Sequence, residues 1–178
     1  MLFRSYKDNQ FDTPTGKGQL FAAPWRAPAE IPDADYPLVL CTVREVGHYS
    51  CRSMTGNCAA LQSLADEPGR VQINPADADE RGIAEGQLVW VRSRRGKVIT
   101  RASISERINA GAIYMTYQWW IGACNELTQD NLDPISRTPE TKYCAVQLEA
   151  IEDQRRAEAF AASSYQTMKT RLIAAVNV

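Results

Sequence analysis

Residues 73–96 read INPADADERGIAEGQLVWVRSRRG, a stretch that combines the start of a helix, a glycine turn and a strand ending in a second turn. Asn74 can cap a helix, Pro75 suits the first helical position, and Gly82 can end the helix. Acidic residues fill the first turns, where they oppose the helix dipole favourably. The stretch therefore predicts a helix of about two turns, followed by the first arm of a β-hairpin.

The hairpin is the centre of a larger set of predicted strands. Its arms, residues 87–93 and 98–104, are rich in β-branched residues and flank a turn that contains glycine. Alternating or continuous apolar runs predict further strands at residues 36–41, 70–74, 112–117 and 143–151. About six short strands with one or two small helices are most economically arranged as a closed or half-closed β barrel.

The regions outside these strands are less regular. Residues 1–35 are rich in turns and proline and predict an extended lead-in, in which residues 19–23 fit one short strand. Phe21 and Trp25 are expected to anchor this lead-in. A short helix is predicted within residues 57–65, and a long one from residue 153 onward. The predicted organisation is a lead-in (1–35), a barrel (36–152) and a C-terminal helix packed on the barrel (153–178).

Composition and charge exclude several classes of protein. The chain has 178 residues, of which 44% are apolar and 23% charged, as is ordinary for a globular domain. With a net charge of −1, the chain lacks the positive potential that would attract nucleic acid. The sequence contains no run of about 18 apolar residues, so no transmembrane helix is predicted. The N-terminus lacks the apolar core of a signal peptide. A cytoplasmic location is expected.

The cysteines do not form a recognisable framework. Their number is five, and no two have the Cys-x-x-Cys spacing of zinc or iron–sulfur sites. Cys41 and Cys144 fall in strand-like runs and are expected in the core. Cys51 and Cys124 fall in loop-like regions and are expected nearer a site. No metal ligand is predicted within this chain.

Two polar loops follow predicted strands. Residues 42–55 contain the chain's only histidine and a run of charged, hydroxyl and aromatic groups, and residues 117–128 combine aromatic rings with amides and hydroxyls. Two such loops at one end of a barrel would form a single cleft for a flat ligand that accepts many hydrogen bonds. The adjacent tryptophans Trp119 and Trp120 fit either this cleft or simple core packing.

No complete catalytic set is present in the sequence. His48 has no nucleophile beside it in any known motif, and neither a Gly-x-Gly-x-x-Gly sequence nor a Walker loop occurs. The residues therefore indicate a binding module, or a part of a larger enzyme, and no catalytic residue is assigned.

The stretch 73–96 resembles the C-terminal molybdopterin-dinucleotide-binding domain of the dimethyl sulfoxide reductase superfamily. Residues 43–55 and 114–127 look like the corresponding loops of bacterial formate dehydrogenases of the H type, and the resemblance covers about residues 11–176. It implies a mainly β fold, a double-psi β-barrel with short helices and a C-terminal α-helix.

The same resemblance implies a cofactor and partners. The cofactor would be bis-molybdopterin guanine dinucleotide carrying molybdenum or tungsten. The whole enzyme would oxidise formate to carbon dioxide and pass electrons to a [4Fe–4S] cluster that lies outside this chain. The partners would be the remaining domains of the enzyme and an electron-transfer subunit. The alternatives are a stand-alone cofactor carrier and an interaction module without catalysis.

The family's cofactor contacts fall on three segments of this sequence. The residues that match them are Arg44, Glu45, His48 and Ser50 in the first loop, Tyr117 and Asn125 in the second, and Thr141 and Lys142 before the last strand. The cations suit pyrophosphate or pterin carbonyl groups, and the carboxylate and amide suit the N–H edges of a ring. The resemblance gives His48 no catalytic role, because it lies in a cofactor-binding loop.

Overall fold

The computed structural model describes residues 8–63 and 67–176, and in these ranges six strands close into a barrel. The strands are β1 (Leu38–Val43), β2 (Arg70–Ile73), β3 (Leu88–Arg92), β4 (Lys97–Ile104), β5 (Ala112–Thr116) and β6 (Tyr143–Ala150). The helices are α1 (Ala59–Gln62), α2 (Pro75–Glu80) and α3 (Gln154–Val176), with short 3₁₀ turns at Thr55–Asn57 and Cys124–Glu126. Each of the six predicted barrel strands is confirmed to within two residues at each end.

The strands follow one another around the barrel in the order β1, β5, β2, β4, β3, β6. The pairs β1–β5 and β2–β4 are parallel, and the other four pairs are antiparallel. This mixed, closed arrangement with few helices confirms the double-psi β-barrel that the resemblance implied.

The register of the strands brings three chain segments to one end of the barrel. Val43, the last residue of β1, pairs with Thr116, the last residue of β5. Because these strands are parallel, the loops that follow them leave the barrel at the same end. Tyr143, the first residue of β6, pairs with Cys41 of antiparallel β1. The segment before β6 therefore reaches this end too, which we call the cleft end.

The barrel interior is filled by alternate residues of every strand. In β1, for example, Leu38 and Leu40 are buried while the intervening residues are only partly covered. Val71, Ile113 and Met115 contribute further fully buried side chains from β2 and β5. Each such side chain contributes about 1.5–3 kcal/mol of apolar burial, so the barrel wall is a rigid support for its loops.

The helix α2 closes the barrel end opposite the cleft end. Asn74 caps it as predicted, because its Oδ1 accepts a hydrogen bond from the Ala76 backbone N–H at 2.9 Å. The Asn74 side-chain amide also donates to the Ile108 carbonyl at 2.6 Å. Buried Asp77 accepts a hydrogen bond from the Gly111 N–H at 2.8 Å. These contacts fix the turn before β5 to the helix.

The helix α3 packs its first half on the outside of the barrel. Ala157 and Ala161 are buried against an apolar cluster that includes Leu88. Gln154 fastens the start of the helix, accepting a hydrogen bond from the Leu88 N–H at 2.7 Å and donating to the Leu88 carbonyl at 2.8 Å. Among the described residues, no helix is long and apolar enough to cross a membrane.

Two predictions for the regions outside the barrel were wrong. Residues 19–23 form no strand in the structure, since none of the described strands pairs with them. Phe21 and Trp25 are 80% and 84% exposed and anchor nothing within the described part of the chain. The short helix expected within residues 57–65 is present only at Ala59–Gln62, and residues 64–66 lie outside the described ranges.

The lead-in is attached by charged side chains instead. Both carboxylate oxygens of Glu30 accept hydrogen bonds from Arg95, at 2.7 and 2.9 Å. One of them also accepts the Ala145 backbone N–H at 2.7 Å. Asp33 forms an ion pair with Arg94. Glu30 therefore holds this segment to the hairpin turn and to β6 through charge-assisted hydrogen bonds, which are stronger than neutral ones.

Gly122 lies where two backbone segments pack closely at the cleft end. Its φ is +76°, and a Cβ atom there would lie 2.7 Å from the Ile99 carbonyl oxygen. We expect Gly122→Ala to lower the free energy of unfolding by about 2–4 kcal/mol, because a backbone contact cannot move aside. Chemical denaturation measures the change.

Gly111 provides the matched control for this substitution. Its φ is +84°, but no heavy atom of the described residues would lie within 4 Å of a Cβ atom at this position. Gly111→Ala should therefore cost only the backbone preference, about 1–2 kcal/mol. Equal losses for the two variants would show that the Ile99 contact does not constrain the fold.

The attachment of the lead-in should also depend on pH. The hydrogen bond from Arg95 holds the pKa of the Glu30 carboxyl below its usual range, with the Ala145 N–H and the charges of Arg95 and Arg94 acting in the same direction. A lowered pKa means that the contact stabilises the fold above the pKa of the unfolded chain and is lost as pH falls through the folded value. The Ala145 amide signal in NMR should shift in that acid range, with a midpoint below about 4.3. Glu30→Gln should abolish the shift and Glu152→Gln should not. A midpoint at or above that of an unfolded glutamate would contradict the assignment.

Candidate functional site

Two loops and the start of β6 build the cleft end. Loop A (residues 44–69) follows β1, and loop B (residues 117–142) follows β5 and leads into β6. Loop B is fastened back onto β1, because the Thr42 hydroxyl donates to the Thr141 carbonyl at 2.7 Å and the Thr42 N–H donates to the Lys142 carbonyl at 3.2 Å. The sequence-predicted site residues in all three segments therefore lie at one end of the barrel.

Arg44, Tyr117 and Lys142 form a direct cluster at this end. The Arg44 Nε donates to the Tyr117 hydroxyl at 2.5 Å, and its guanidinium carbon lies 5.9 Å from the centre of the same ring. The Lys142 Nζ lies 5.3 Å from that ring centre. Two cations and a phenol ring from loops A and B thus meet at one point.

Neither cation of this cluster has a carboxylate within ion-pair distance among the residues described. Other arginines of the barrel and its loops do have acidic partners: Arg52, Arg81, Arg92, Arg94, Arg95 and Arg101. Positive charge that no acidic group neutralises attracts an anion. The cluster of Arg44, Tyr117 and Lys142 can therefore bind phosphate or another multiply charged group.

Among the predicted site residues of loop A, His48 is buried and Glu45 is partly buried. Burial raises the pKa of the Glu45 carboxyl, against a smaller opposing effect of Arg70 and Arg52. The His48 ring packs edge-on against Trp119, with 5.2 Å between ring centres, and its Nδ1 lies 3.0 Å from the Thr55 hydroxyl. Its Nε2 is buried and has no hydrogen-bond partner among the described residues. A ligand group could satisfy this atom.

Loop A also holds two non-glycine residues in the left-handed backbone region. The φ angles are +47° for Ser50 and +64° for Arg52. Such angles cost about 1–2 kcal/mol each for a residue with a Cβ atom. They persist because the surrounding contacts hold the loop, and no feature of the sequence indicated them.

Asn125 and Thr141 lie at the cleft end but outside the central cluster. Asn125 is exposed on the 3₁₀ turn, where its carbonyl accepts the Thr128 hydroxyl at 3.0 Å. No described side-chain contact joins it to the other predicted site residues. Thr141, together with Lys142, lines a cavity of about 670 Å³ formed by residues 131–142. The predicted residues thus share one end of the barrel but do not form one bonded network.

Sequence reasoning missed the residues that join the two loops. Arg52 is buried, and its Nε donates to the Gln118 carbonyl at 2.6 Å, while a terminal nitrogen pairs with Glu67. Glu67 in turn accepts the Ile121 N–H at 2.8 Å. The Arg52 guanidinium also lies 4.5 Å from the Trp119 ring centre. The sequence indicated these residues only by their position, because Arg52 lies close to Ser50 and Gln118 follows Tyr117, both of which were assigned to the site.

The two tryptophans have different environments. Trp119 is 2% exposed and packs into the structure, so core packing is the correct interpretation for it. Trp120 is 41% exposed and lies 6.0 Å from Tyr165 of α3, measured between ring centres. Neither ring lines the Arg44 cluster by any described contact.

Cys124 does not lie near an accessible site, contrary to expectation. It is a fully buried residue of loop B that packs into the core, and burial raises the pKa of its thiol to about 12. Cys144 is buried as predicted, and burial raises its thiol pKa to about 11. All five cysteines lie in the described ranges and are free thiols. The loop position of Cys124 misled because apolar residues of loop B cap the barrel.

The sequence matches known proteins along most of its length. The family model described as "Molydopterin dinucleotide binding domain" matches residues 38–145. Formate dehydrogenase H of Escherichia coli is 63% identical over 163 residues, which cover 92% of this chain and 23% of the relative. The F420-dependent formate dehydrogenase subunit alpha of Methanocaldococcus jannaschii is 40% identical, over 82% of this chain and 21% of the relative.

A solved structure agrees with the fold. Acetylene hydratase from Pelobacter acetylenicus superposes with a TM-score of 0.61 at 19% identity, covering 80% of this chain and 24% of the hydratase chain. The chain therefore spans about a quarter or less of the relatives that it matches. The family match covers both cleft loops and the barrel strands from β1 to the start of β6. With its strand order, its two loops at one end and this match, the chain belongs to the family of molybdopterin dinucleotide-binding domains.

Proposed function

We propose that this chain is the C-terminal cofactor-binding domain of a formate dehydrogenase and holds bis-molybdopterin guanine dinucleotide carrying molybdenum or tungsten. The observation that carries the proposal is the 63% identity to Formate dehydrogenase H over 92% of the chain. The whole enzyme would oxidise formate to carbon dioxide. The bound metal would supply the two-electron acceptor for this reaction, and this domain would supply part of the binding site.

The donor set at the cleft end fits such a cofactor. Arg44 and Lys142 are cations without acidic partners in the described structure, and they flank the face and hydroxyl of Tyr117. A pyrophosphate carries the charge that such a pair neutralises, and a guanidinium can bind two of its oxygens at once. We assign Arg44, Tyr117 and Lys142 to the pyrophosphate or to a carbonyl group of the pterin.

The other predicted residues would read the cofactor's polar edges. The Glu45 carboxyl and the Asn125 amide can accept from ring N–H groups. The free Nε2 of His48 and the Ser50 hydroxyl offer further hydrogen bonds from loop A. Thr141 would contact the cofactor from the cavity wall before β6. None of these residues is assigned a catalytic role or a metal bond.

The rest of the enzyme would complete the site. Outward-facing apolar side chains on loop A (Val46, Tyr49 and Met54, each more than 60% exposed) suit cover by the remaining domains. The [4Fe–4S] cluster would lie in those domains, and electrons would pass on to a partner subunit. A cytoplasmic enzyme is consistent with the five free thiols. The proposed division of the chain remains a lead-in (1–35), a barrel (36–152) and a helix (153–178).

Removal of the two cations should release the cofactor. We expect Arg44→Ala and Lys142→Ala each to weaken cofactor retention in the complete enzyme on the order of 10- to 100-fold, since each removes one charge-assisted contact. Molybdenum or tungsten content and pterin fluorescence after oxidation measure the retention directly.

Exposed cations outside the proposed contact set provide matched controls. Arg107 follows β4 at the opposite end of the barrel, and Lys17 lies in the lead-in, so alanine at either position should leave cofactor content unchanged. Normal metal and pterin content in the Arg44→Ala Lys142→Ala double variant would refute the proposed site.

A further inference from the structure

Gln118 is a buried side chain of loop B that makes two hydrogen bonds to the backbone of loop A. It is 1% exposed and directly follows Tyr117, so adjacent residues of loop B contact Arg44 and the backbone of loop A. Its Oε1 accepts the Glu45 N–H at 2.6 Å, and its Nε2 donates to the His48 carbonyl at 2.9 Å. One amide therefore spans the turn from Glu45 to His48.

The orientation of this amide is fixed by its neighbours. The Glu45 N–H can only donate and the His48 carbonyl can only accept, so the oxygen and nitrogen of the side chain cannot exchange places. The Thr116 hydroxyl, 3.1 Å from Oε1, adds a second donor to the oxygen. Because the side chain is buried, loss of either contact would leave a backbone group without a partner, which costs about 1–3 kcal/mol.

We propose that Gln118 is a positioning residue for the cofactor, one that sets the backbone of residues 45–48 and so presents Arg44, Glu45 and His48 to the cleft. The inference rests on the proposed cofactor-binding function, and it assigns Gln118 no contact with the cofactor. Arg52 supports the same arrangement from behind, since its Nε holds the Gln118 backbone carbonyl. Loop B thus acts as a template for the cofactor-contacting part of loop A.

The substitution Gln118→Glu tests this role specifically. It replaces the side-chain NH₂ group, which donates to the His48 carbonyl, by an oxygen of similar size. As a carboxylate, the new side chain would place a negative oxygen against the His48 carbonyl. As a neutral carboxylic acid, it could donate to that carbonyl and restore the bridge. Burial raises the pKa of a carboxyl placed there, while Arg52 opposes the shift; Glu45 and His48 are the other titratable neighbours. Both oxygens belong to one planar group, so repulsion from the His48 carbonyl would turn the whole carboxylate away and withdraw the acceptor of the Glu45 N–H as well. The two-point contact of this side chain with residues 45–48, which we call the clamp, should therefore hold in the variant in mild acid and fail as pH rises.

Hydrogen exchange of the Glu45 amide in the 178-residue chain tests the clamp without any cofactor. We expect Gln118→Glu and wild type to exchange at similar rates at about pH 5, and the variant to exchange roughly tenfold faster or more at about pH 8. Gln118→Met should exchange fast at both pH values. Gln154→Glu makes the same substitution in the amide that clamps Leu88 at the other end of the barrel, and it should leave Glu45 unaffected.

Cofactor retention in the complete enzyme provides the second readout. The Gln118→Glu enzyme should keep its pterin and metal at about pH 5 and lose them at about pH 8, while wild type and Gln154→Glu keep them at both. Fast Glu45 exchange with full cofactor content at the higher pH would overturn the positioning role. So would loss of Leu88 amide protection in Gln118→Glu, because the effect would then be global unfolding. Normal cofactor content in the Arg44→Ala Lys142→Ala variant would instead refute the proposed function and leave the exchange result standing.

Discussion

The buried guanidinium of Arg52 is the interaction on which the cleft end depends. It joins the Gln118 carbonyl of loop B to Glu67 at the end of loop A, and it lies against the Trp119 ring. A charge removed from water is expensive unless each of its donors is paired, and here the partners come from both loops. Arg52 itself has a left-handed φ of +64°. The backbone preference is overcome because the pairing requires that geometry.

The contacts of Arg52 explain how the barrel holds long polar side chains of its loops in fixed positions. Loops A and B leave the same end of the barrel because β1 and β5 are parallel. The hydroxyl of Thr42 holds the end of loop B at this position, just before β6, by donating to the Thr141 carbonyl. Arg52 and Gln118 then fix the loops to each other, so Arg44 and Lys142 remain available on their outer side. Buried Arg52 is neutralised by Glu67, whereas Arg44 and Lys142 beside Tyr117 have no acidic partner among the described residues. Their charge is therefore available to an anionic cofactor.

The sequence predicted the barrel well because its strands alternate and its turns carry glycine, proline and asparagine at informative positions. Asn74 and Gly82 marked α2 correctly for this reason. The loops were harder, because their conformation depends on contacts between residues about 66 positions apart, such as Arg52 and Gln118. Residues 19–23 had strand-like composition but no neighbouring strand, and the buried position of Cys124 depended on loop B folding over the barrel. The individual cofactor contacts came from family resemblance, and local chemistry supported only their general type.

The central claim is that the cofactor is held at one end of the barrel by segments 44–55, 117–127 and 141–142. Hydrogen-exchange mass spectrometry of the complete enzyme, with and without its cofactor, tests this claim most directly. The account predicts that cofactor binding slows exchange in these three segments and leaves α2 and the turn before β5, at the opposite end, unchanged. Protection confined to that opposite end, or absent from loops A and B, would contradict it.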